Sequence, residues 1–118
     1  MQKAENDLAD RTKNFARRII RLYTALPEDT VAQVLGKQVL RSGTSIGANY
    51  REASRSRSKA EFVAKVGDCL KEADETAYWS ELLADEGIIS RERLSPLLKE
   101  TDELIAILVT ISKRARIG

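Results

Sequence analysis

The stretch LRSGTSIGANYREASRS (Leu40–Ser56) decides how the rest of the chain is interpreted, although its composition resembles that of a loop. Its glycine, serine, threonine and asparagine residues all favour turns. At about 100° per residue, however, this stretch and the residues before it sort into separate faces of one helix. One line on that helix consists of Gly36, Leu40, Gly43 and Gly47, and the apolar face beside it of Val31, Ala32, Leu35, Val39, Ile46, Tyr50 and Ala53. Because a loop would not sort its residues in this way, the pattern predicts a long helix with Leu40–Ser56 inside it.

The glycine line indicates that another helix approaches closely. Each glycine in a helix interior is about 1 kcal/mol less favourable than alanine, so packing must offset the difference. A stripe of glycines lets a neighbouring backbone come near. Two interpretations remain open: a contact within one subunit, or a contact between subunits with Gly43 and Gly47 in the interface.

The flanking sequence predicts three further helices. Apolar residues at helical spacing extend from Asn6 or Asp7 to Leu26, where Pro27 follows. The third helix is expected to begin near Ser58, which has capping-box spacing to Glu61, and to end at residues 85–87. The fourth is expected to begin at Ser90, or to restart at Ser95 with Pro96 as the first helical residue.

Two sequence blocks carry a resemblance to a known family. LRSGTSIGANYREA (Leu40–Ala53) and EFVAKVGDCLKEADETAYWSELL (Glu61–Leu83) resemble the 23S rRNA intervening-sequence proteins, and the likeness extends from about Phe15 to about Ile111. The resemblance implies an all-α fold, an antiparallel up-down four-helix bundle with long helices, which we expect to be one domain over residues 1–118. It also implies a homo-oligomer, with a ring-shaped pentamer favoured. Relatives that accompany retroelement reverse transcriptases bind nucleic acid and the polymerase, but no activity is established for the family itself.

The composition argues against catalysis. The chain has no histidine and only one cysteine, Cys69, which lies on the apolar stripe of its helix. Ser–His and Cys–His nucleophile pairs and histidine or cysteine-cluster zinc sites are therefore excluded. Asp68, Glu72 and Glu75 share a face that could hold Mg²⁺ for a nuclease, but salt bridges to an arginine-rich face explain them more simply. We expect no enzyme activity, no cofactor and no metal.

The sequence predicts a cytoplasmic protein. Its longest apolar run, LIAILV (Leu104–Val109), is far shorter than a membrane span, and MQKAENDLAD at the start contains no apolar signal region.

Charge is distributed unevenly along the chain. Residues 1–57 contain 11 Lys+Arg against 6 Asp+Glu, whereas residues 58–118 contain 9 against 12. We predict an oligomeric scaffold that binds RNA or DNA through a basic face. The alternative is a protein–protein adaptor whose basic face docks an acidic partner. The predicted contact residues are Arg17, Arg18, Arg21, Lys37, Arg41, Arg51, Arg55 and Arg57.

Apolar residues outside the core stripes predict a second buried surface. Tyr78, Trp79 and Leu82 do not lie on the inward stripe of the third helix, and Ile107 does not lie on that of the fourth. With Gly43 and Gly47 they form the predicted oligomer interface. For Trp79, a position at the edge of the bundle core is the alternative.

Overall fold

The chain folds into four helices, which confirms the predicted all-α class. The computed structural model describes the backbone of residues 3–117 and the side chains of residues 7–117, and no strand occurs in this range. The helices are α1 (Lys3–Thr24), α2 (Thr30–Ser54), α3 (Lys59–Asp85) and α4 (Arg91–Ile117).

Short connections join these helices, and polar residues in them cap the helix starts. The Asp29 carboxylate accepts a hydrogen bond from the backbone N–H of Ala32 at 2.9 Å, and Ser58 Oγ accepts one from Glu61 N at 3.1 Å. Both side chains satisfy an N–H that has no partner within its helix. After α3, Gly87 adopts a φ of +69°, a conformation that glycine enters without a Cβ clash. The connections are therefore tight enough to place successive helices side by side.

Contacts between side chains show the directions of the helices. Along α1, Thr12 faces Gly47 and Ile19 faces Gly43, so α1 and α2 are antiparallel. Ser42 contacts Thr76 and Glu52 contacts Lys65, so α2 and α3 are antiparallel as well.

The fourth helix completes the bundle. Arg11 near the start of α1 pairs with Glu100 in the middle of α4, whereas Leu22 near the end of α1 lies with Leu94 near the start of α4. Each helix contacts its chain neighbours, α1 also contacts α4, and the diagonal pairs do not meet within residues 3–117. The arrangement is an up-down square bundle with extents of 47 × 21 × 19 Å.

The glycine line of α2 packs against α1 of the same chain. A Cβ atom on Gly43 would lie 2.7 Å from Ile19 Cγ1, and one on Gly47 would lie 3.2 Å from Thr12 Oγ1. Of the two open interpretations, the structure therefore shows the contact within one subunit. Gly43 is covered by Ile19 and is not accessible to a second copy, which corrects its place in the predicted oligomer interface.

Several expected boundaries differ from the observed ones. The second helix ends at Ser54, so Arg55 and Ser56 lie just beyond it. The fourth helix runs unbroken from Arg91 through Pro96, with Ser90 Oγ accepting a hydrogen bond from Arg93 N, so it does not restart at Ser95.

Two residues of α2 differ in burial from what their position or polarity would indicate. Val31, expected on the apolar face, is 57% exposed, whereas the polar residue Ser42 is fully buried. The Thr76 hydroxyl and Ser42 Oγ hydrogen-bond at 2.9 Å inside the bundle. A buried pair of hydroxyls can satisfy each other, which single-helix periodicity does not reveal.

The remaining core is mainly apolar, with Thr12, Ser80, Thr101 and Ser112 also buried. None of the helices in residues 3–117 has an apolar stretch sufficient to cross a membrane. Cys69 is fully buried, as its position on the stripe predicted, and burial raises the pKa of its thiol to about 12. The thiol is therefore protonated and unreactive at neutral pH.

Candidate nucleic-acid interface

The predicted nucleic-acid contacts do not form one continuous face. Arg51 and Arg55 lie at a groove between α1 and α2, Arg18 and Arg21 at the seam between α1 and α4, and Arg41 at the seam between α2 and α3. The other three, Arg17, Lys37 and Arg57, are exposed.

Arg41 is engaged in ion pairs with α3. Its Nη2 lies 2.6 Å from Glu75 Oε1, and its Nη1 lies 3.1 Å from Glu72 Oε1. The hydrogen bond that Arg41 donates to Glu75, assisted by the one it donates to Glu72, raises the pKa of Arg41 above its ordinary value. A phosphate would have to displace two carboxylates, so Arg41 is placed to bridge two helices rather than to meet a ligand.

The same geometry accounts for the carboxylates of α3. Glu72 and Glu75 pair with Arg41, as the salt-bridge interpretation predicted. Within residues 7–117 no group of three or more potential metal ligands is positioned to hold an ion.

A groove lies between α1 and α2. It has a volume of about 680 Å³, and its walls carry small side chains, chiefly Ala9 and Ala16 from α1 and Gly47 and Ala48 from α2. Because these side chains are small, they give the groove low walls, and an elongated ligand can approach the backbone of both helices. The groove follows from the same close packing of α1 on α2 that the glycine line produces.

Three cations surround this groove. They are Lys13 of α1, Arg51 of α2 and Arg55, which caps the C-terminus of α2. None of them makes an ion pair with another residue of the described part of the chain. The one carboxylate at the rim, Glu52, is paired with Lys65 Nζ at 2.7 Å. The groove is therefore electropositive, and the hydroxyls of Thr44 and Ser54 in its lining donate to the backbone carbonyls of Leu40 and Arg51.

Lys13 is not among the nucleic-acid contacts predicted from the sequence. Its spacing to Ala9 and Ala16, at i−4 and i+3, places all three on one face of α1, and that face borders the glycine line of α2. That spacing was available in the sequence, but only the helix pairing shows which neighbour the face meets.

A second, smaller recess lies at the seam between α1 and α4. Its volume is about 230 Å³, and it is lined by Arg18, Arg21, Leu22 and Ala25 of α1 and by Arg93, Leu94 and Leu97 of α4. The sequence predicted the first two arginines as contacts but not Arg93. Nothing in the pattern of α4 alone brings Arg93 to α1.

The predicted oligomer interface is partly occupied within the chain. Trp79 and Ile107 pack against the core of their own bundle, so Trp79 takes the edge position that the sequence left open. Tyr78 is 57% exposed, and its ring meets that of Trp79 edge-on, with centroids 5.1 Å apart and planes at 72°. Leu82 is half-buried.

An exposed valine extends the apolar surface around Tyr78 and Leu82. Arg41 and Glu75 touch across the α2–α3 seam, and residues seven positions apart share a helix face. Val34 precedes Arg41 by seven residues and Leu82 follows Glu75 by seven, so in an antiparallel pair the two lie side by side. Val34 is 56% exposed. The outer face of this seam thus carries a small apolar patch of Val34, Tyr78 and Leu82.

Comparison with known proteins agrees with the fold and the sequence blocks. The model of the 23S rRNA-intervening sequence protein family matches residues 4–110. The chain belongs to this family. No curated protein matches it.

A solved structure resembles this family member closely. The crystal structure of a protein of unknown function from the S23 ribosomal protein family of Bacteroides thetaiotaomicron is 43% identical, with a TM-score of 0.87. The alignment covers 92% of this chain and 97% of that one. Family membership therefore supports the four-helix bundle, while the function of the family is unknown.

Proposed function

We propose that this 23S rRNA-intervening sequence protein is a non-catalytic, cytoplasmic scaffold that binds RNA or DNA along the groove between α1 and α2. The observation that carries the proposal is the convergence of Lys13, Arg51 and Arg55 on a groove with low walls. Lysine and arginine contacts to phosphates supply most of the affinity of non-specific nucleic-acid binding. The family's retroelement-associated relatives, which bind nucleic acid, point in the same direction.

The chemistry of the groove favours the phosphate backbone over the bases. The only aromatic side chain in its lining, Tyr50, is 1% exposed and belongs to the core, so no stacking platform for bases is present there. Sequence preference should therefore be slight, and affinity should fall as salt displaces the contacts, with a log–log slope of about −0.7 to −0.9 per phosphate neutralised.

One subunit offers only a few phosphate contacts, so we further propose that the scaffold is a homo-oligomer. The apolar patch of Val34, Tyr78 and Leu82 lies on the α2–α3 seam, away from the groove, and a second copy would remove it from water. A ring, with the pentamer favoured, repeats the groove around its circumference. Linked weak sites then bind one strand much more tightly than a single site does, provided that the strand spans them.

The test is a charge-matched pair of triple variants. In the groove variant, Lys13, Arg51 and Arg55 become Gln; in the control, the exposed lysines Lys71, Lys99 and Lys113 of α3 and α4 become Gln. Both variants lose the same net charge, so a difference in affinity between them reports the location of the removed charges. We expect the groove variant to lose affinity for a single-stranded oligonucleotide and to show a shallower salt slope, while the control keeps both.

Two results would overturn the proposal. One is absence of binding by the intact assembly at about 50 mM salt, where phosphate contacts are strong. The other is an equal loss of affinity in the two triple variants, because the effect would then be that of net charge alone.

The second candidate function is an adaptor that docks an acidic protein. The same convergence of cations favours it, since carboxylates pair with arginine as readily as phosphates do. Nuclease treatment separates the two candidates: a partner that stays on the tagged protein after digestion, and leaves the groove variant, supports the adaptor.

A further inference from the structure

We propose that Arg18, Arg21 and Arg93 form a second site, distinct from the α1–α2 groove, that binds a terminal phosphate group. The three arginines line the recess of about 230 Å³ at the α1–α4 seam. The rest of its lining is Leu22, Ala25, Leu94 and Leu97, and no carboxylate takes part in it.

Three like charges around an apolar surface favour the binding of an anion. Guanidinium groups near one another repel, and a nearby apolar surface lowers the local dielectric and so increases that repulsion. Proteins normally offset such a cluster with acidic side chains. Here the described residues provide no ion pair to any of the three.

The contrast with other arginines of the same bundle is direct. Arg11, on the same flank of α1, has its Nε 2.7 Å from Glu100 Oε2 and an Nη2 2.6 Å from Glu103 Oε1. Arg91, two residues before Arg93, pairs with Asp85 at 2.5 Å. Arg11 and Arg91, on the same two helices, are thus paired with carboxylates, whereas the three arginines at the recess are not.

Glu100 of α4 does not change this conclusion. Glu100 lies close enough to Arg18 for an electrostatic effect on its carboxyl group. Both of its oxygens, however, accept hydrogen bonds from Arg11 at 2.7 Å. Its charge is therefore committed to Arg11, and the recess keeps a positive potential.

The shape and charge of the recess indicate the class of ligand. Guanidinium forks match the oxygens of phosphate, and Arg93 lies in the first turn of α4, where the helix dipole also favours an anion. A volume of about 230 Å³ is below the usual size of a site for a whole small molecule. Three cations match the charge of a monoester or a pyrophosphate group better than that of a diester. The ligand is therefore a terminal phosphate, on a strand end or on a small phosphorylated compound.

The probe for this site is inorganic pyrophosphate, and the variants are Arg93→Gln and Arg91→Gln. Both side chains are exposed, so neither change should disturb the core, and circular dichroism verifies the fold. By titration calorimetry we expect pyrophosphate to bind the native protein and to lose about tenfold or more in affinity with Arg93→Gln, the usual effect of deleting a charged hydrogen bond. Arg91→Gln should bind as the native protein does.

A second measurement identifies the source of the phosphate and keeps this site separate from the groove. Oligonucleotides of one sequence, with a 5′-phosphate or a 5′-hydroxyl, are compared on the groove variant of Lys13, Arg51 and Arg55. Tighter binding of the phosphorylated strand, lost with Arg93→Gln, supports a strand end. Pyrophosphate binding without that preference supports a small phosphorylated ligand. No binding of pyrophosphate, or an equal loss in Arg91→Gln and Arg93→Gln, overturns the site whether or not the groove binds nucleic acid.

Discussion

At Gly43 the backbone of α2 lies against the side chain of Ile19, and this contact leaves no room for a Cβ atom. The added atom of Gly43→Ala would lie 2.7 Å from Ile19 Cγ1 and 3.0 Å from its Cδ1 and Cγ2. Ile19 is fully buried and branched at Cβ, so it has few alternative rotamers. We expect Gly43→Ala to lower the free energy of unfolding by about 1–2 kcal/mol, because overpacking outweighs the gain in helix propensity. Urea denaturation measures the change.

Gly67 provides the matched control. It lies in the interior of α3, is exposed, and has no atom within 4 Å of the position that a Cβ would take. Gly67→Ala should therefore raise the free energy of unfolding by about 0.5–1 kcal/mol. If both alanines stabilise the protein, Ile19 can move aside and the contact is looser than the structure indicates.

Glu100 links stability to pH. The hydrogen bonds from Arg11 hold the pKa of this carboxyl below its ordinary value of 4.5. The folded state thus favours the charged form, so the contribution is complete above the unfolded-state pKa and is lost as pH falls through the folded one. We expect Glu100→Gln to lower the free energy of unfolding by about 1 kcal/mol at pH 7 and the difference to disappear in acid.

Glu103→Gln is the comparison for that measurement. Its carboxylate makes one contact with Arg11, and its side chain is 47% exposed against 17% for Glu100. Solvent screens the more exposed pair, so its removal should have a smaller effect. A Glu100→Gln effect that stayed constant from neutral to acidic pH would show that packing, rather than charge, carries the contribution.

For single residues, the sequence predicted the helix face correctly where that face depended only on helical periodicity. The phase of Gly36, Gly43 and Gly47 showed that they share a face, but it could not show whether the approaching helix belonged to the same chain. Arg41 was likewise placed on a basic stripe, whereas its partners Glu72 and Glu75 are more than thirty residues away. Side-chain partners depend on helix pairing, which a single helix does not contain.

At the level of elements, Arg41 joins α2 to α3 on the outside while the Ser42–Thr76 hydrogen bond joins them inside. We expect Arg41→Gln to lower the free energy of unfolding by about 1 kcal/mol, because two carboxylates lose their partner. Its effect on nucleic-acid affinity should be small, since those carboxylates already occupy the guanidinium.

Arg51→Gln should show the opposite pattern. It lines the groove without an ion pair to the described residues, so its loss should weaken binding and leave stability nearly unchanged. Chemical denaturation and oligonucleotide titration of the two variants measure both quantities. If Arg41→Gln weakens binding as much as Arg51→Gln does, the basic surface extends across α2 to the α3 seam.

The elements themselves were largely predictable. Ser58 caps the third helix, as its spacing to Glu61 predicted, and Gly87 lies just after the end of that helix. The start of α4 was ambiguous because serine precedes both Arg91 and Pro96, and local pattern alone cannot distinguish a cap from a position inside a helix. The grooves were not predictable, since each is formed by two helices whose relative rotation depends on the whole core.

For the whole molecule, the decisive unknown is assembly. We expect light scattering to give a mass several times 13.2 kDa, five times for the favoured pentamer. Tyr78→Glu places a charge in the apolar patch on the α2–α3 seam and should dissociate the assembly, because burying an unpaired carboxylate is strongly unfavourable. Since Tyr78 is 57% exposed, each subunit should stay folded.

Ile117→Glu is the control for this change. Ile117 is 88% exposed at the end of α4, far from the patch, so the variant should assemble as the native chain does. A mass of 13.2 kDa for the native protein at high micromolar concentration would contradict self-association, and an unaltered mass for Tyr78→Glu would place the interface elsewhere.

The antiparallel order of the helices also determines how the molecule responds to tension. Lys3 at the start of α1 and Ile117 at the end of α4 lie at the same end of the bundle, and the α1–α4 seam has the least extensive contact of the four. A force that pulls these two residues apart loads the seam like a zipper, one turn at a time, rather than shearing all turns together. Among residues 7–117, the ion pairs of Arg11 with Glu100 and Glu103 are the charged contacts that join α1 to α4 along this seam. In an optical trap the bundle should therefore unfold at low force when the handles are attached at Lys3 and Ile117. It should unfold at higher force when the handles pull α2 and α3 apart.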